Sequence, residues 1–174
     1  MKIAILCDTH CGIRNSSEVF LDNAEDFYTN IFFPECDKRN VKQILHLGDY
    51  YDHRKFVNFK ALNQNRRVFL DQLRKRNMMM DIIPGNHDTY FKNTNELNSL
   101  KECLGHYMNE IHIIMEPTVM QYGSLSMALL PWICADNYQQ SMNFIQDCKA
   151  DWLGAHLELN LSLIHISEPT RQIV

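Results

Sequence analysis

The chain has 174 residues and a mass of 20.5 kDa, with 45% hydrophobic and 22% charged residues, which predicts one globular domain with a substantial core and excludes an intrinsically disordered protein. Its formal net charge of −4 excludes binding of nucleic acid through a generally basic surface. Any nucleic-acid contact therefore has to be local or supplied by a partner.

The first predicted element is a buried β-strand over residues 2–7, which is too short for a helix and ends at Asp8. This charged residue interrupts the apolar run near the start, so we expect neither a signal peptide nor a membrane span of roughly 20 residues. The prediction is a cytoplasmic protein. A helix follows, because Asn15 and Glu18 have the spacing of a capping box and apolar residues then recur at helical spacing until Pro34.

Two more strands, over residues 41–47 and 78–83, are separated by a second helix that Asn58 can cap. The apolar stripe of this helix consists of Phe59, Leu62, Phe69 and Leu73. Five basic residues lie mostly on its other faces, where they favour a solvated surface over a DNA contact: Arg66, Arg67, Arg74, Lys75 and Arg76. Strands that alternate with helices predict βαβ units and a mainly parallel sheet.

The remaining pattern changes from α/β towards β. A short helix over residues 94–104 is expected to stop at Gly105, and it is followed by three strands over residues 111–115, 118–122 and 126–130. A helix over residues 136–148 with Met142 and Ile145 facing the core then precedes a strand over residues 152–155. That strand leads into His156.

Polar groups interrupt the apolar pattern where four of these strands end. They are Asp8-Thr9-His10, Gly48-Asp49, Gly85-Asn86-His87-Asp88 and His156. Because the carboxyl ends of parallel strands converge, we expect one mixed oxygen and nitrogen site formed by Asp8, His10, Asp49, Asn86 and His156. Such ligands favour manganese or iron, and a central carboxylate, for which Asp49 is the candidate, can bridge two ions. Paired divalent ions are a recurring device for hydrolysing phosphoesters.

Other residues near these motifs have predicted supporting roles. His87 is placed to protonate a leaving oxygen, and Asp88 is a candidate to orient its ring. Arg54 and Lys55 follow Asp49 closely enough to meet a phosphate near the metals. The six cysteines are far apart and predict neither disulfides nor a thiolate zinc site. Four further histidines are interpreted as structural: His46, His53, His106 and His112.

The combination of Asp8-x-His10, Gly48-Asp49-x-x-Asp52, Gly85-Asn86-His87-Asp88 and a later His156 resembles the successive motifs of calcineurin-like metallophosphoesterases. Residues 3–10 and 47–52, with Arg54-Lys55 nearby, are similar to SbcD-type DNA nucleases, especially the recombination endonuclease subunits of tailed phages. The likeness covers roughly residues 1–160 and implies an α/β metallophosphoesterase layered sandwich.

The resemblance also implies roles for individual residues. Asp8, His10 and Asp49 would hold one metal, and Asp49, Asn86 and His156 the other, with His87 protonating the leaving oxygen. It implies manganese as the cofactor, with magnesium or iron as alternatives, and exonuclease and endonuclease activity on DNA in recombination and repair. The implied partners are an SbcC-type ATPase with a long coiled coil and, as a homodimer, a second copy of the chain.

The end of the sequence departs from the family. The family's downstream Gly-His-x-His segment has no counterpart, and His165 stands alone between two isoleucines. Residues 161–174 do not follow the family and resemble translated sequencing-adapter read-through, so we expect the native frame to end near Asn160 and residues 1–160 to form an incomplete domain truncated at its C-terminus.

Two alternative functions follow from the same residues. The metal motifs alone fit a phosphomonoesterase or a cyclic-nucleotide phosphodiesterase of the same superfamily. The lack of the downstream histidine pair favours a different alternative, an inactive binding or dimerisation module that retains part of the metal site.

Overall fold

The structure is a computed structural model that describes residues 1–157. The predicted tail over residues 161–174 and the domain boundary near residue 160 lie outside the described residues, so both stay predictions. Within residues 1–157, no helix combines the length and apolarity that crossing a membrane requires.

Four parallel strands form the first sheet, in the order β1-β2-β3-β4. They are β1 (Ile3–Leu6), β2 (Gln43–His46), β3 (Met79–Ile82) and β4 (Ile111–Ile113). The second sheet contains β5 (Thr118–Tyr122), β6 (Leu125–Leu130) and β7 (Trp152–Ala155). In it, β5 and β6 form an antiparallel hairpin, and β7 pairs parallel to β6.

The helices within residues 1–157 are α1 (Ile13–Ser16), α2 (Glu18–Asp26), α3 (Phe33–Lys38), α4 (Phe59–Asn65), α5 (Asp71–Arg76), α6 (Ser99–Leu104) and α7 (Tyr138–Asp147). Six of these helices lie between strands of the first sheet, and α7 connects β6 to β7 of the second sheet. Two π-helical segments, Phe27–Phe32 and Arg66–Leu70, join α2 to α3 and α4 to α5, and a 3₁₀ turn, Gly105–Tyr107, follows α6.

The core has two parts, one on each face of the first sheet. Alternate residues of β2 point to opposite faces: Ile44 packs with helix residues such as Phe69 and Leu73, whereas Leu45 packs with residues of the second sheet such as Met127 and Leu129. Helices, one parallel sheet and a second sheet therefore form successive layers. The predicted α/β sandwich is confirmed.

The first strand is less buried than predicted. Ile5 is 52% exposed, because within residues 1–157 β1 is the edge strand of its sheet and pairs with β2 alone. By contrast, Ile44 and Leu45 in the neighbouring β2 are fully buried.

The first long helix differs from its prediction at both ends. Asn15 does not cap it, since Asn15 has a left-handed backbone with φ of 56° and Ser17 takes the N-cap position. Pro34 does not end it either, because the π-helical segment before α3 widens the turn, with the Phe33 amide bonded to the Tyr28 carbonyl five residues back. Helical structure continues to Lys38.

The second long helix begins as predicted, with the Asn58 side chain accepting a hydrogen bond of 2.8 Å from the Lys60 amide. Phe59, however, is 86% exposed, so its predicted place in the apolar stripe is wrong. The buried positions Ala61, Asn65, Phe69 and Leu73 recur every four residues, because the π-helical segment adds a residue to the turn.

Three of the five basic residues on this helix are engaged in ion pairs. Arg67 pairs with Glu25 at 2.6 Å, Arg74 with Glu110 at 2.7 Å and Arg76 with Asp37 at 3.1 Å. The carboxylates neutralise the positive charge of these three arginines, which favours a solvated helix surface over a DNA contact.

The last helices are shorter than predicted. The Asn98 side chain caps α6 by accepting from the Lys101 amide, and α6 ends at Leu104 with Gly105 at its C-cap, as predicted, before the 3₁₀ turn. In α7 the buried residue is Ser141, while Ile145 is 40% exposed, so the expected inward position of Ile145 is wrong.

Candidate metal centre

The loops that follow β1 and β2 are joined by backbone hydrogen bonds. The amides of Asp8, His10 and Cys11 donate to the carbonyls of Gly48, Asp49 and Tyr50 at 3.2, 3.0 and 2.7 Å. Asp8, His10 and Asp49 all have positive φ angles of 51°, 42° and 53°. Such left-handed backbone is strained for residues other than glycine and clusters at functional sites.

Two groups of acidic and imidazole side chains share Asp49. One contains His10, Asp49 and His87, the other contains Asp8, Asp49 and His156, and in each group the ligand atoms lie within 4.8 Å of one another. The two oxygens of Asp49 face different histidines: Oδ2 lies 3.6 Å from His10 Nε2, and Oδ1 lies 3.5 Å from His156 Nε2. This arrangement suits a carboxylate that bridges two ions.

Asn86 joins the second group, with its Oδ1 2.9 Å from His156 Nε2. The structure therefore brings together all five residues expected to hold metal. The grouping differs from the one implied by the family resemblance, because His87 lies with His10, whereas Asp8 lies with His156.

The hydrogen bonds of two histidines leave one ring nitrogen of each available. His156 Nδ1 donates to the Leu47 carbonyl at 2.9 Å, and its Nε2 faces the oxygens of Asn86 and Asp49. His87 Nδ1 donates to the Asp52 carbonyl at 2.6 Å, which leaves Nε2 free to hold a proton. These backbone partners fix the tautomer and orientation of each ring.

The donor atoms of this site fit a divalent cation. His10 Nδ1 lies 3.5 Å from Asp52 Oδ1, which leaves Nε2, the nitrogen that faces Asp49, as the donor to an ion. His156 Nε2 faces the oxygens of Asn86 and Asp49 at 2.9 and 3.5 Å, a position that a cation between them would stabilise. Imidazole, carboxylate and amide donors match the preferences of manganese, iron or magnesium rather than a thiolate-bound metal.

Asp88 does not orient the His87 ring, so that expectation is wrong. Its buried carboxylate accepts three backbone hydrogen bonds, from the amides of Tyr50 and Tyr51 at 3.0 Å each and of Gly85 at 2.9 Å. Burial raises the pKa of Asp88 to about 6. Asp88 therefore ties the loop after β2 to the loop after β3.

Gly48 and Gly85 allow these loops to approach each other closely. Gly48 has a φ of 95°, and a Cβ there would lie 2.7 Å from the Gly85 nitrogen. A Cβ on Gly85 would overlap the backbone nitrogen and side chain of Asp49. The two loops can therefore come this close, and Gly85 is needed for the position of Asp49.

His46 has a positioning role that the sequence interpretation missed. It is fully buried; its Nδ1 accepts from the Gly48 amide at 3.3 Å, and its Nε2 donates to the Thr9 hydroxyl at 3.0 Å. It thereby connects the loops that carry Asp8, His10 and Asp49. The sequence did indicate that His46 is buried. It lies two residues after the apolar Ile44 in β2, so both side chains point to the same face of the sheet.

Burial lowers the pKa of His46 to about 3, which predicts a pH-dependent stability. Unfolded His46 takes up a proton below its ordinary pKa, but the folded protein keeps the ring neutral until about pH 3. This stability is therefore present above the ordinary pKa and is lost as the pH falls. In chelator, the native protein should lose about 2 kcal/mol more than His46→Asn between pH 7.5 and 5.

Urea unfolding at several pH values measures this difference. The asparagine of His46→Asn would keep an acceptor for the Gly48 amide but cannot titrate, so this variant is the matched control. Parallel pH profiles of the two proteins would contradict the assignment.

Arg54 and Lys55 lie beside the site, but Arg54 is engaged by the protein. Its Nη1 lies 3.2 Å from Thr89 Oγ1 and 3.4 Å from the Phe91 carbonyl, and its guanidinium lies over the Trp132 ring at 5.1 Å. Lys55 is exposed, with its Nζ 5.8 Å from the Tyr90 ring centre. Of the two, Lys55 is freer to meet a phosphate.

Comparison with known proteins identifies the family. Over 161 residues the chain is 28% identical to Exonuclease subunit 1 of Enterobacteria phage T4, covering 92% of this chain and 46% of that protein. The chain thus spans about half the length of this relative. A nuclease called MPE from Pseudomonas putida aligns with a TM-score of 0.47 and 19% identity, covering 75% of this chain and 60% of the other.

A family profile described as calcineurin-like phosphoesterase matches residues 1–157. The match includes every residue of the site described above, and it confirms the resemblance inferred from the sequence motifs. The chain therefore belongs to the calcineurin-like phosphoesterase family.

Proposed function

We propose that this chain carries the catalytic domain of a divalent-metal-dependent DNA nuclease that hydrolyses phosphodiester bonds. The observation that carries the proposal is the pair of ligand groups that share Asp49, in a member of a phosphoesterase family. The similarity to an exonuclease subunit of a phage supports DNA as the substrate class.

The proposal extends to the biological setting. The activity would be exonucleolytic and endonucleolytic and would serve recombination and repair, in the cytoplasm of a host cell if the gene belongs to a bacteriophage. The word subunit in the name of the relative supports a partner, for which we propose an SbcC-type ATPase with a long coiled coil, alongside a homodimer of this chain.

We assign the metal ligands to Asp8, His10, Asp49, Asn86 and His156, with Asp49 shared between two ions. Manganese is the proposed ion, since its ligand preferences match this set, and magnesium and iron are the alternatives to compare. When bound, such ions polarise a phosphoryl oxygen and make water more acidic. The protein itself holds the ligands in place through the hydrogen bonds of His156 with Leu47 and of the loops after β1 and β2.

We assign His87 as the acid that protonates the leaving oxygen. The Asp52 carbonyl accepts from Nδ1, so the second proton of the imidazolium is on Nε2, from which it can be donated. The ring packs edge-on against His10 at 4.9 Å between ring centres, which keeps it beside the metal ligands. Asp88 is a positioning residue. Its carboxylate accepts from the amides of Gly85, Tyr50 and Tyr51 and so holds the loops after β2 and β3 together.

Lys55 and Arg54 are the proposed substrate-binding residues. Lys55 is exposed next to the site and would attract a DNA phosphate directly. Arg54 would act by holding the loop that contains Thr89 and Phe91 in place.

His87→Asn tests the acid role. The asparagine amide can still donate to the Asp52 carbonyl, but no proton remains at the Nε2 position. Manganese-dependent cleavage of DNA should fall by about 10²–10⁴-fold, the usual contribution of a general acid. Hydrolysis of bis(p-nitrophenyl) phosphate should fall far less, because p-nitrophenolate leaves without being protonated. End-labelled DNA and the chromogenic diester measure the two rates.

His106→Asn is the matched control, since His106 is exposed on the 3₁₀ turn, and it should leave both rates unchanged. Equal losses on both substrates for His87→Asn would overturn the acid role. Hydrolysis of a phosphomonoester or a cyclic nucleotide without cleavage of DNA would support the other enzyme classes, and protein that binds no manganese would support the binding module.

A further inference from the structure

A cluster of exposed aromatic side chains lies next to the candidate metal centre. Phe56 is 58% exposed, Phe59 86%, and Tyr90 38%. Large apolar side chains that stay exposed together on one surface commonly mark a binding site. Nothing in the function of the metal ligands accounts for them.

These residues border a cleft of about 300 Å³, called here the aromatic cleft. One wall consists of residues 53–59, and the opposite wall includes Tyr90 and Leu97. Arg54, in the first wall, donates hydrogen bonds to the Thr89 hydroxyl and the Phe91 carbonyl, which flank Tyr90 in the second wall. The aromatic cleft is therefore built into the fold rather than formed by two independent loops.

A chain of contacts connects the aromatic cleft to the metal centre. The Asp52 carbonyl holds His87, and the Asp52 carboxylate lies 3.3 Å from His53 Nε2. The His53 ring stacks on Phe56 at 4.3 Å between ring centres, with 26° between the ring planes. His53 therefore links Phe56, at the edge of the aromatic cleft, to the loop that holds His87.

The charges around the aromatic cleft favour a nucleotide with its base inside and its phosphate outside. Lys55 is exposed at the rim, where it can contact a phosphate. Glu102 lines the cleft, so a phosphate inside it would be repelled, whereas an uncharged base would not. The net charge of −4 makes such a local contact necessary for any nucleic-acid binding.

We propose that Phe56, Phe59 and Tyr90 form a stacking platform that binds an unpaired base of a DNA strand, with Lys55 at the adjacent phosphate. Stacking requires a base that is not already stacked in a duplex, so this platform selects single-stranded or frayed DNA next to the metal centre. The proposal rests on the proposed nuclease function for its choice of DNA.

Binding measurements in chelator test the platform without cleavage. The probes are a fluorescent oligothymidylate and a strand of the same length whose sites are abasic. The native chain should bind oligothymidylate about tenfold more tightly, because base stacking is lost in the abasic strand. Phe56→Leu should bring the two affinities to within about twofold, and Phe56→Tyr should restore the difference.

Trp152→Leu is the control, since Trp152 is 64% exposed on β7 and should leave the preference unchanged. Equal binding of the two strands by the native chain, or an unchanged preference in Phe56→Leu, would overturn the platform. Hydrolysis of bis(p-nitrophenyl) phosphate by the native chain with manganese is measured separately. Its absence together with a retained strand preference would contradict the nuclease function and leave the platform standing.

Discussion

Asp49→Asn should abolish divalent-metal binding while leaving the fold intact. The asparagine keeps the oxygen that accepts from the His87 amide at 2.8 Å, so the backbone between the two loops retains its hydrogen bond. The variant removes the negative charge shared by both ligand groups. Because this single side chain serves both groups, we expect manganese affinity to fall by at least about 100-fold and cleavage to fall below detection.

Thermal unfolding with increasing manganese measures this effect independently of activity. Ligand that binds only the folded state raises the melting temperature, so the native chain should be stabilised and Asp49→Asn should not. Without metal the variant should be at least as stable as the native chain, since a neutral amide replaces a buried carboxylate and keeps the hydrogen bond from the His87 amide.

Asp81→Asn is the control for Asp49→Asn. Asp81 is also a buried aspartate, but it accepts from Gln43 on the neighbouring strand at 2.8 Å and from Tyr122 of the second sheet at 2.7 Å. That variant should lose stability and keep its response to manganese. An equal manganese response in Asp49→Asn and the native chain would contradict the assignment of the site.

The position of Asp49 could be predicted because it depends on strand order alone. Parallel strands bring their carboxyl ends to one edge, so polar residues directly after β1, β2 and β3 meet wherever the connections run. His156 follows β7 in the second sheet, so its place depends on how the two sheets pack. Asp8, His10 and Asn86 follow the rule of the parallel sheet. Their convergence required no knowledge of side-chain contacts.

Contacts between residues that are distant in sequence could not be predicted from the motifs. Asp88 is next to His87 in the chain, but its carboxylate points to amides that are 37 and 38 residues away. Arg54 follows Asp52 closely, yet it bonds to residues 35 and 37 positions later. Spacing in the sequence shows which loop a side chain belongs to, but it does not show the direction in which the side chain points.

The helix errors have a local cause that the periodicity could not show. A π-helical segment adds one residue to a turn, and such segments occur before Pro34 and in the middle of the second long helix. The extra residue accommodates Pro34 and shifts the buried face away from Phe59. That shift leaves Phe59 exposed at the aromatic cleft.

Asp88→Ala should cause the largest loss of stability of any substitution considered. The alanine leaves the amides of Tyr50, Tyr51 and Gly85 without their acceptor in a buried region. Each unsatisfied buried amide costs about 1–3 kcal/mol, so the free energy of unfolding in chelator should fall by about 3–5 kcal/mol. Urea unfolding monitored by tryptophan fluorescence measures it.

Asp151→Ala is the matched control, because the exposed Asp151 carboxylate accepts from a single backbone amide, that of Ser126, at 3.0 Å. Water can replace that bond, so the loss should be below about 1 kcal/mol. Asp88→Asn should fall between the two, since one amide oxygen can still accept from both tyrosine amides while its NH₂ group faces the Gly85 donor. If Asp88→Ala were as stable as Asp151→Ala, the two loops would be held together by other contacts, and Asp88 would not be the link that sets the distance between Asp49 and Asn86.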